Sequence, residues 1–288
     1  MATIKNFLEN DDTQVLDELG ALQVVEWERD LSVNSVTALT EYFSSKMHVR
    51  SRQLLCDLSQ SPITVQAGAM QYTVGDVSMT TGVKSTGDFL TKAFRGAASG
   101  ESIIKPEYTG TGTLVLEPTR KHILLIDVND FDNNIVLDDG LFLACYSSLK
   151  QTTVARSNVS SAVFGREGLF NLGLSGYGAV AIESPVPREE LITIELNNDC
   201  LKVDGNNAIA WSGSLQFSTE RSGRSLIGSA ASGEGLVNVY RGTGKVLMAP
   251  VTGYNVVEAN SAEASGDSTL DNVADVADAL SDIVDLFN

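Results

Sequence analysis

Three glutamates, Glu101, Glu167 and Glu234, each stand beside a glycine: Gly100, Gly168 and Gly233. Carboxylates recurring at matching places can converge near a common axis, and a positioned carboxylate is one of the groups that carries general acid–base chemistry. The same recurrence also follows if each glutamate only satisfies the turn amides of its own segment. The two histidines, His48 and His122, have no Cys or carboxylate at metal-ligand spacing, so each reads as an ordinary surface or interface residue. Asp130, Asp132 and Asn134 resemble the start of a calcium loop, but Ile135 stands where the turn glycine belongs and no Glu closes the twelfth position, which leaves a polar hairpin turn. Gly242-Thr243-Gly244-Lys245-Val246 resembles a phosphate loop. Val239 replaces its first glycine, however, and Val246 its magnesium-binding hydroxyl. No catalytic, cofactor or metal residues are therefore assigned.

The glycines are better explained by construction. Gly110-Thr111-Gly112 precedes Leu114-Val115-Leu116 and Pro118; Gly176-Tyr177-Gly178 precedes Val180-Ala181-Ile182 and Pro185; Gly242-Thr243-Gly244 precedes Val246-Leu247-Met248 and Pro250. A period of about 70 residues is too long for a helical solenoid unit and suits a unit of several strands. Each apolar triplet has no polar face, as strands buried on both sides require, and the proline after it ends the ladder. The runs Gln53–Leu58, Ile123–Val128 and Leu191–Leu196 open the same three units, each followed by short β runs between Asn, Asp, Gly and Ser turns. Leu22–Trp27 reads as a further strand, and Asp88–Phe94 as short turns.

These patterns predict an all-β protein with three segments. Residues 1–49 form an N-terminal acidic segment and helix. Residues 50–257 form a triplicated β body with repeats at about 50–120, 121–188 and 189–257, and residues 258–288 form an acidic linker and amphipathic helix. In the first helix Asn34 or Ser35 is the cap, and Val36, Leu39, Phe43 and Met47 make one apolar face expected to pack on the body. In the last, Leu270, Val273, Ala277, Leu280, Val284 and Phe287 make a stripe that needs either the body or a partner to cover it.

The formal net charge of -17 resides mostly in the ends. Residues 1–30 carry -6, residues 258–288 carry -8 and the stretch between them only -3. With no Lys/Arg cluster, nucleic-acid binding is not expected. An anionic terminal helix also argues against peripheral association with an anionic membrane. Cys56, Cys145 and Cys200 form no CxxC pair and an odd number, which indicates reduced, mostly buried thiols and a cytoplasmic protein. No secretory signal is visible, and no run reaches the ~20 apolar residues that span a bilayer.

Gln66-Ala67-Gly68-Ala69-Met70, Gly100-Glu101-Ser102, Asp139-Gly140-Leu141-Phe142-Leu143-Ala144, Glu167-Gly168-Leu169-Phe170 and Gly233-Glu234-Gly235-Leu236 together resemble signatures of the altered-inheritance-of-mitochondria family (number twenty-four), in its bacterial branch. The resemblance covers about residues 50–250. It implies a fold like the tryptophan RNA-binding attenuation protein, a double-stranded β-helix type with three internal repeats and pseudo-threefold character. It brings no catalytic residues, and tryptophan or RNA binding does not transfer with a fold. The expected function is a non-enzymatic scaffold or interaction protein, self-associating or docking a protein partner through the C-terminal helix. The alternatives are a small-molecule or lipid-headgroup binding module and an enzyme using the recurring glutamates.

Overall fold

The computed structural model describes residues 3–29, 31–81, 105–155, 170–221 and 236–250. Glu101, Glu167 and Glu234, the turns at Asp88–Phe94, and the linker and helix expected within 258–288 lie outside the described residues.

Sixteen strands build two sheets among those residues. The first holds β1 (Thr13–Leu19), β2 (Leu22–Trp27), β3 (Ser51–Asp57), β4 (Ile63–Val65), β5 (Met70–Thr80), β6 (Glu107–Leu116), β7 (His122–Asp127), β9 (Phe142–Tyr146) and β12 (Ala179–Ser184). The second holds β8 (Asn134–Leu137), β10 (Lys150–Ala155), β11 (Phe170–Ser175), β13 (Ile192–Asp204), β14 (Ala208–Ser212), β15 (Gln216–Arg221) and β16 (Leu236–Met248). The single α-helix among the described residues is α1 (Ala38–Lys46). All-β is therefore the observed class. Leu22–Trp27 is a strand as its pattern indicates, and it pairs with β3.

The apolar triplets lie in the interior. Leu114, Val115 and Leu116 are fully buried, as are Val180, Ala181 and Ile182, and Val246. Both faces are covered: Leu54, Cys56, Leu114 and Leu116 enter one core, while Leu55 and Val115 meet Phe7 and Val25 on the other side. Complete burial of such a side chain contributes roughly 1.5–3 kcal/mol.

One pairing scheme occurs three times. Leu114, Val115 and Leu116 face Thr73, Tyr72 and Met70; Val180, Ala181 and Ile182 face Cys145, Ala144 and Phe142; Val246, Leu247 and Met248 face Trp211, Ala210 and Ala208. In each, one residue of the partner strand is skipped (Gln71, Leu143 or Ile209), which is a β-bulge at the same place. The glycine before each triplet permits the crossing. Gly178 has φ 154°, and a Cβ there would lie 3.0 Å from the Tyr146 Cβ; Gly244 has φ 156°, and a Cβ there would lie 2.8 Å from the Ser212 Cβ.

The first sheet curls until its ends approach, β1 at one end and β7 at the other. Arg188 joins them, donating to the Asp17 carboxylate on β1 at 3.3 Å and to the Leu125 carbonyl on β7. The Tyr146 hydroxyl accepts the Ala21 amide at 2.7 Å, tying the β1–β2 turn to β9.

Candidate interaction surface

Helix α1 and its flanking turns expose a cluster of large apolar side chains. Val36 is 85% exposed, Leu39 70%, Phe43 58% and Met47 76%, and no residue of α1 is buried. Only Leu39 and Phe43 lie within α1, with Val36 in the turn before it and Met47 at its C-cap, and these apolar side chains are presented to solvent where packing on the body is expected. Tyr42 stacks edge-on against Phe43 and widens the patch. The physical reason for the difference is that polar contacts hold the helix in place. The Ser45 hydroxyl donates to the Glu28 carbonyl at 2.8 Å, Arg120 pairs with Glu41 at 2.7 Å, and Arg50 donates to the Ser45 carbonyl at 3.3 Å.

Both ends of the helix are fixed locally. The N-cap is Thr37, where Asn34 or Ser35 is expected; Asn34 instead closes the turn before the helix, its side-chain oxygen accepting the amides of Val36 at 2.8 Å and Thr37 at 3.2 Å. At the exit His48 adopts the left-handed conformation, φ 61°. The His48 amide bonds to the Ser45 carbonyl and the Val49 amide to the Ser44 carbonyl, the paired bonds of a Schellman stop. His48 is thus a helix terminator.

Beneath this end lies a buried ionic anchor. Glu26 and Arg52 are each 3% exposed and meet at 2.6 Å, and Arg50 reaches the other Glu26 oxygen at 2.8 Å. Arg52 also donates to the His48 carbonyl at 2.8 Å, linking the strand pair β2–β3 to the stop of the helix. His122 lies beside this group. Burial, followed by the Arg52 guanidinium, lowers its imidazole pKa below the ordinary value. None of these residues was assigned a role from sequence. Glu26 and Arg52 are separated by 25 intervening residues and fit no motif, and only their strand register brings them together.

Other candidates resolve into structure. Asp130 lies in the 3₁₀ turn over Val128–Phe131, Asp132 and Asn133 at its exit are left-handed and Asn134 opens β8; the turn is polar, but it joins β7 of the first sheet to β8 of the second and is not a hairpin. Among the described residues no group of three or more His, Cys, Asp or Glu is placed to hold a metal ion. Cys56 and Cys145 are buried, burial pushing the Cys145 thiol up to about 12, whereas Cys200 is exposed on β13. A groove of about 960 Å³ runs between Ile4, Phe7 and Leu8 of the N-terminal segment and Val74, Asp76 and Thr111 of the β5–β6 hairpin. At its edge the Ser59 and Gln60 side chains hold the Asp57 carboxyl below its usual range. No described helix is long and apolar enough to cross a membrane.

The family model described as mitochondrial biogenesis AIM24 matches residues 44–251. An uncharacterised protein of Streptococcus pyogenes serotype M6 is 29% identical over 194 residues, spanning 65% of this chain and 75% of that protein. The crystal structure of a Streptococcus pyogenes protein from a structural-genomics programme aligns with a TM-score of 0.53 at 23% identity, covering 72% of this chain and 90% of the other. At that identity the second likeness concerns fold alone.

Proposed function

This chain belongs to the mitochondrial biogenesis AIM24 family, and from that premise we propose that it is a non-enzymatic, self-associating scaffold that docks a protein partner. The observation that carries the reading is the outward apolar face of α1, held in place from below by the Glu26–Arg52 anchor. Adjacent large apolar side chains left in water mark contact surfaces, and a helix face with anchors at spacings of three and four is a common docking form. The threefold recurrence of one strand register supports a body made of three copies of one unit, at about 50–120, 121–188 and 189–257. Double-stranded β-helix winding with pseudo-threefold character, and a cytoplasmic location, belong to the same proposal.

Two measurements test it. Light scattering coupled to size exclusion reads self-association, and a monomer at every accessible concentration removes that part. Crosslinking in cells with a photoreactive residue at position 43 reads the docking face. Products formed from the wild-type surface and lost in a Leu39→Ser background support it, and a bare surface in both removes it.

The second reading is a small-molecule or lipid-headgroup module, favoured by the groove of about 960 Å³, whose mixed walls suit an amphipathic ligand. Native mass spectrometry of the freshly purified protein separates the two readings by the presence or absence of a retained ligand.

A further inference from the structure

The two sheets contain the same strand junction twice, and each of two strands holds one unused half of a third. Ile63 of β4 faces Tyr108 on one side and Tyr146 of β9 on the other. Ile135 of β8 faces Leu174 on one side and Ser212 of β14 on the other. The match extends to single hydrogen bonds. Ser147 N–H donates to the Pro62 carbonyl at 3.0 Å and Gln66 N–H to Leu143 at 2.8 Å; Gly213 N–H donates to Asn134 at 2.7 Å and Asp138 N–H to Ile209 at 3.0 Å.

Leu201 of β13 takes the same place, facing Tyr240 of β16 as Ile63 faces Tyr108 and Ile135 faces Leu174. Its other side has no strand among the described residues, because β13 ends the second sheet. The residue matching Tyr146 and Ser212 is Val74. Thr73 pairs with Leu114 just as Cys145 pairs with Val180 and Trp211 with Val246. The outer side of β5 is also without a strand, since β5 pairs with β6 alone among the described residues.

We propose that β13 of one copy pairs with β5 of a second copy, antiparallel, with Leu201 opposite Val74, Lys202 opposite Thr73 and Val203 opposite Tyr72. The proposal rests on the self-association reading and names the surface through which it acts. The two bonds closing the junction are Gly75 N–H to the Cys200 carbonyl and Asp204 N–H to the Gln71 carbonyl, by direct correspondence with the junctions already present. Side-chain character agrees. Leu201, Val203, Tyr72 and Val74 are half-buried or buried on the inner face, while Lys202 and Thr73 point to solvent. A register shift between Leu196 and Asp199, with Asn198 left-handed, breaks β13 just before the junction and keeps it short. Free strand edges are templates for another chain, and here two different edges are complementary, so the contact is head-to-tail. Such contacts close into rings or extend into filaments, and each joins the second sheet of one copy to the first sheet of the next.

The test uses full-length protein with Cys200→Ser in every sample, to remove the exposed thiol. One preparation carries Thr73→Cys, the other Lys202→Cys. Directly opposed, hydrogen-bonded residues lie about 5.5 Å apart between Cα atoms, within disulfide range. Oxidising the mixture is expected to convert the 30.7 kDa monomer band to a band of twice that mass containing one copy of each, with neither preparation dimerising alone. Self-crosslinking of Lys202→Cys by itself shows a symmetric contact and overturns the proposal. A wild-type protein that is multimeric by light scattering, yet gives no mixed disulfide, overturns this interface and leaves self-association standing; a monomeric wild type removes both. A second variant, Lys202→Pro, deletes an amide directed away from β16. It is expected to weaken assembly about tenfold while strand circular dichroism is kept. Unchanged assembly in a folded Lys202→Pro protein counts against the proposal.

Discussion

The Glu26 carboxylate and the Arg52 guanidinium meet at 2.6 Å on neighbouring strands, each 3% exposed, directly beneath the end of the helix that offers its apolar face to solvent. One buried pair thereby couples the sheet to the candidate docking surface. Its value lies in completeness, because Arg52 left alone is an uncompensated buried charge, whereas Glu26 left alone keeps Arg50.

Glu26→Leu is accordingly expected to destabilise the protein by about 3–5 kcal/mol, because it leaves the buried Arg52 guanidinium without its carboxylate. Thermal or urea unfolding reads this. The exposed pair Arg120–Glu41 is the control, with Arg120→Ala changing stability by no more than about 1 kcal/mol. Equal effects from the two variants would show that the buried pair is no anchor.

The double variant Leu39→Ser, Phe43→Ser should leave unfolding free energy within about 0.5 kcal/mol, because both side chains already stand in water. Binding of a hydrophobic dye should fall. A stability loss of several kcal/mol would mean that the face is covered in the native protein.

How far the sequence led depended on whether the information was local. The strand triplets at Leu114, Val180 and Val246, and the glycines before them, are written in adjacent residues, and their burial follows from the lack of a polar face. The helix now seen over Ala38–Lys46 was equally legible, since its period is local. Which side it turns to solvent was not. That is decided by single polar contacts from Ser45 to Glu28 and from Glu41 to Arg120, distant in sequence and belonging to no pattern. Exposure of Cys200 was hidden for the same reason: it depends on which positions of β13 are left uncovered, and its own flanking residues do not reveal it.

Two acid-sensitive windows are expected, with opposite chemistry. The Arg241 guanidinium and the Ser218 hydroxyl pull the Glu220 carboxyl down to about 2. A lowered carboxyl stabilises the fold above its ordinary value near 4.5, and this contribution is lost as pH falls toward 2. His122 is a base with a lowered value. Its neutral form is favoured in the fold, so stability is fully present above about 6.5 and declines as pH drops below that. Glu220→Gln should make the lower window shallower, leaving the part due to the lowered Asp57 carboxyl, and His122→Phe should flatten the upper one, read as unfolding midpoint against pH. The lower effect should shrink in high salt, because the Arg241–Glu220 pair is exposed.

Gly178→Ala tests the strand crossing that recurs through both sheets. At φ 154° a side chain is strained, and the added methyl would stand 3.0 Å from the Tyr146 Cβ and 3.2 Å from its ring, a contact between two packed strands that neither can relieve freely. The variant is expected to lose about 2 kcal/mol or more. Gly140→Ala provides the comparison: its φ of 75° is also positive, but a Cβ there meets nothing within 4 Å, so it reports backbone strain without the clash. The difference between the two variants in urea unfolding isolates the contact with Tyr146. Tyr146 also holds the Ala21 amide through its hydroxyl, so displacing its ring should loosen the β1–β2 turn, visible as faster amide exchange at Ala21 in Gly178→Ala and unchanged exchange in Gly140→Ala.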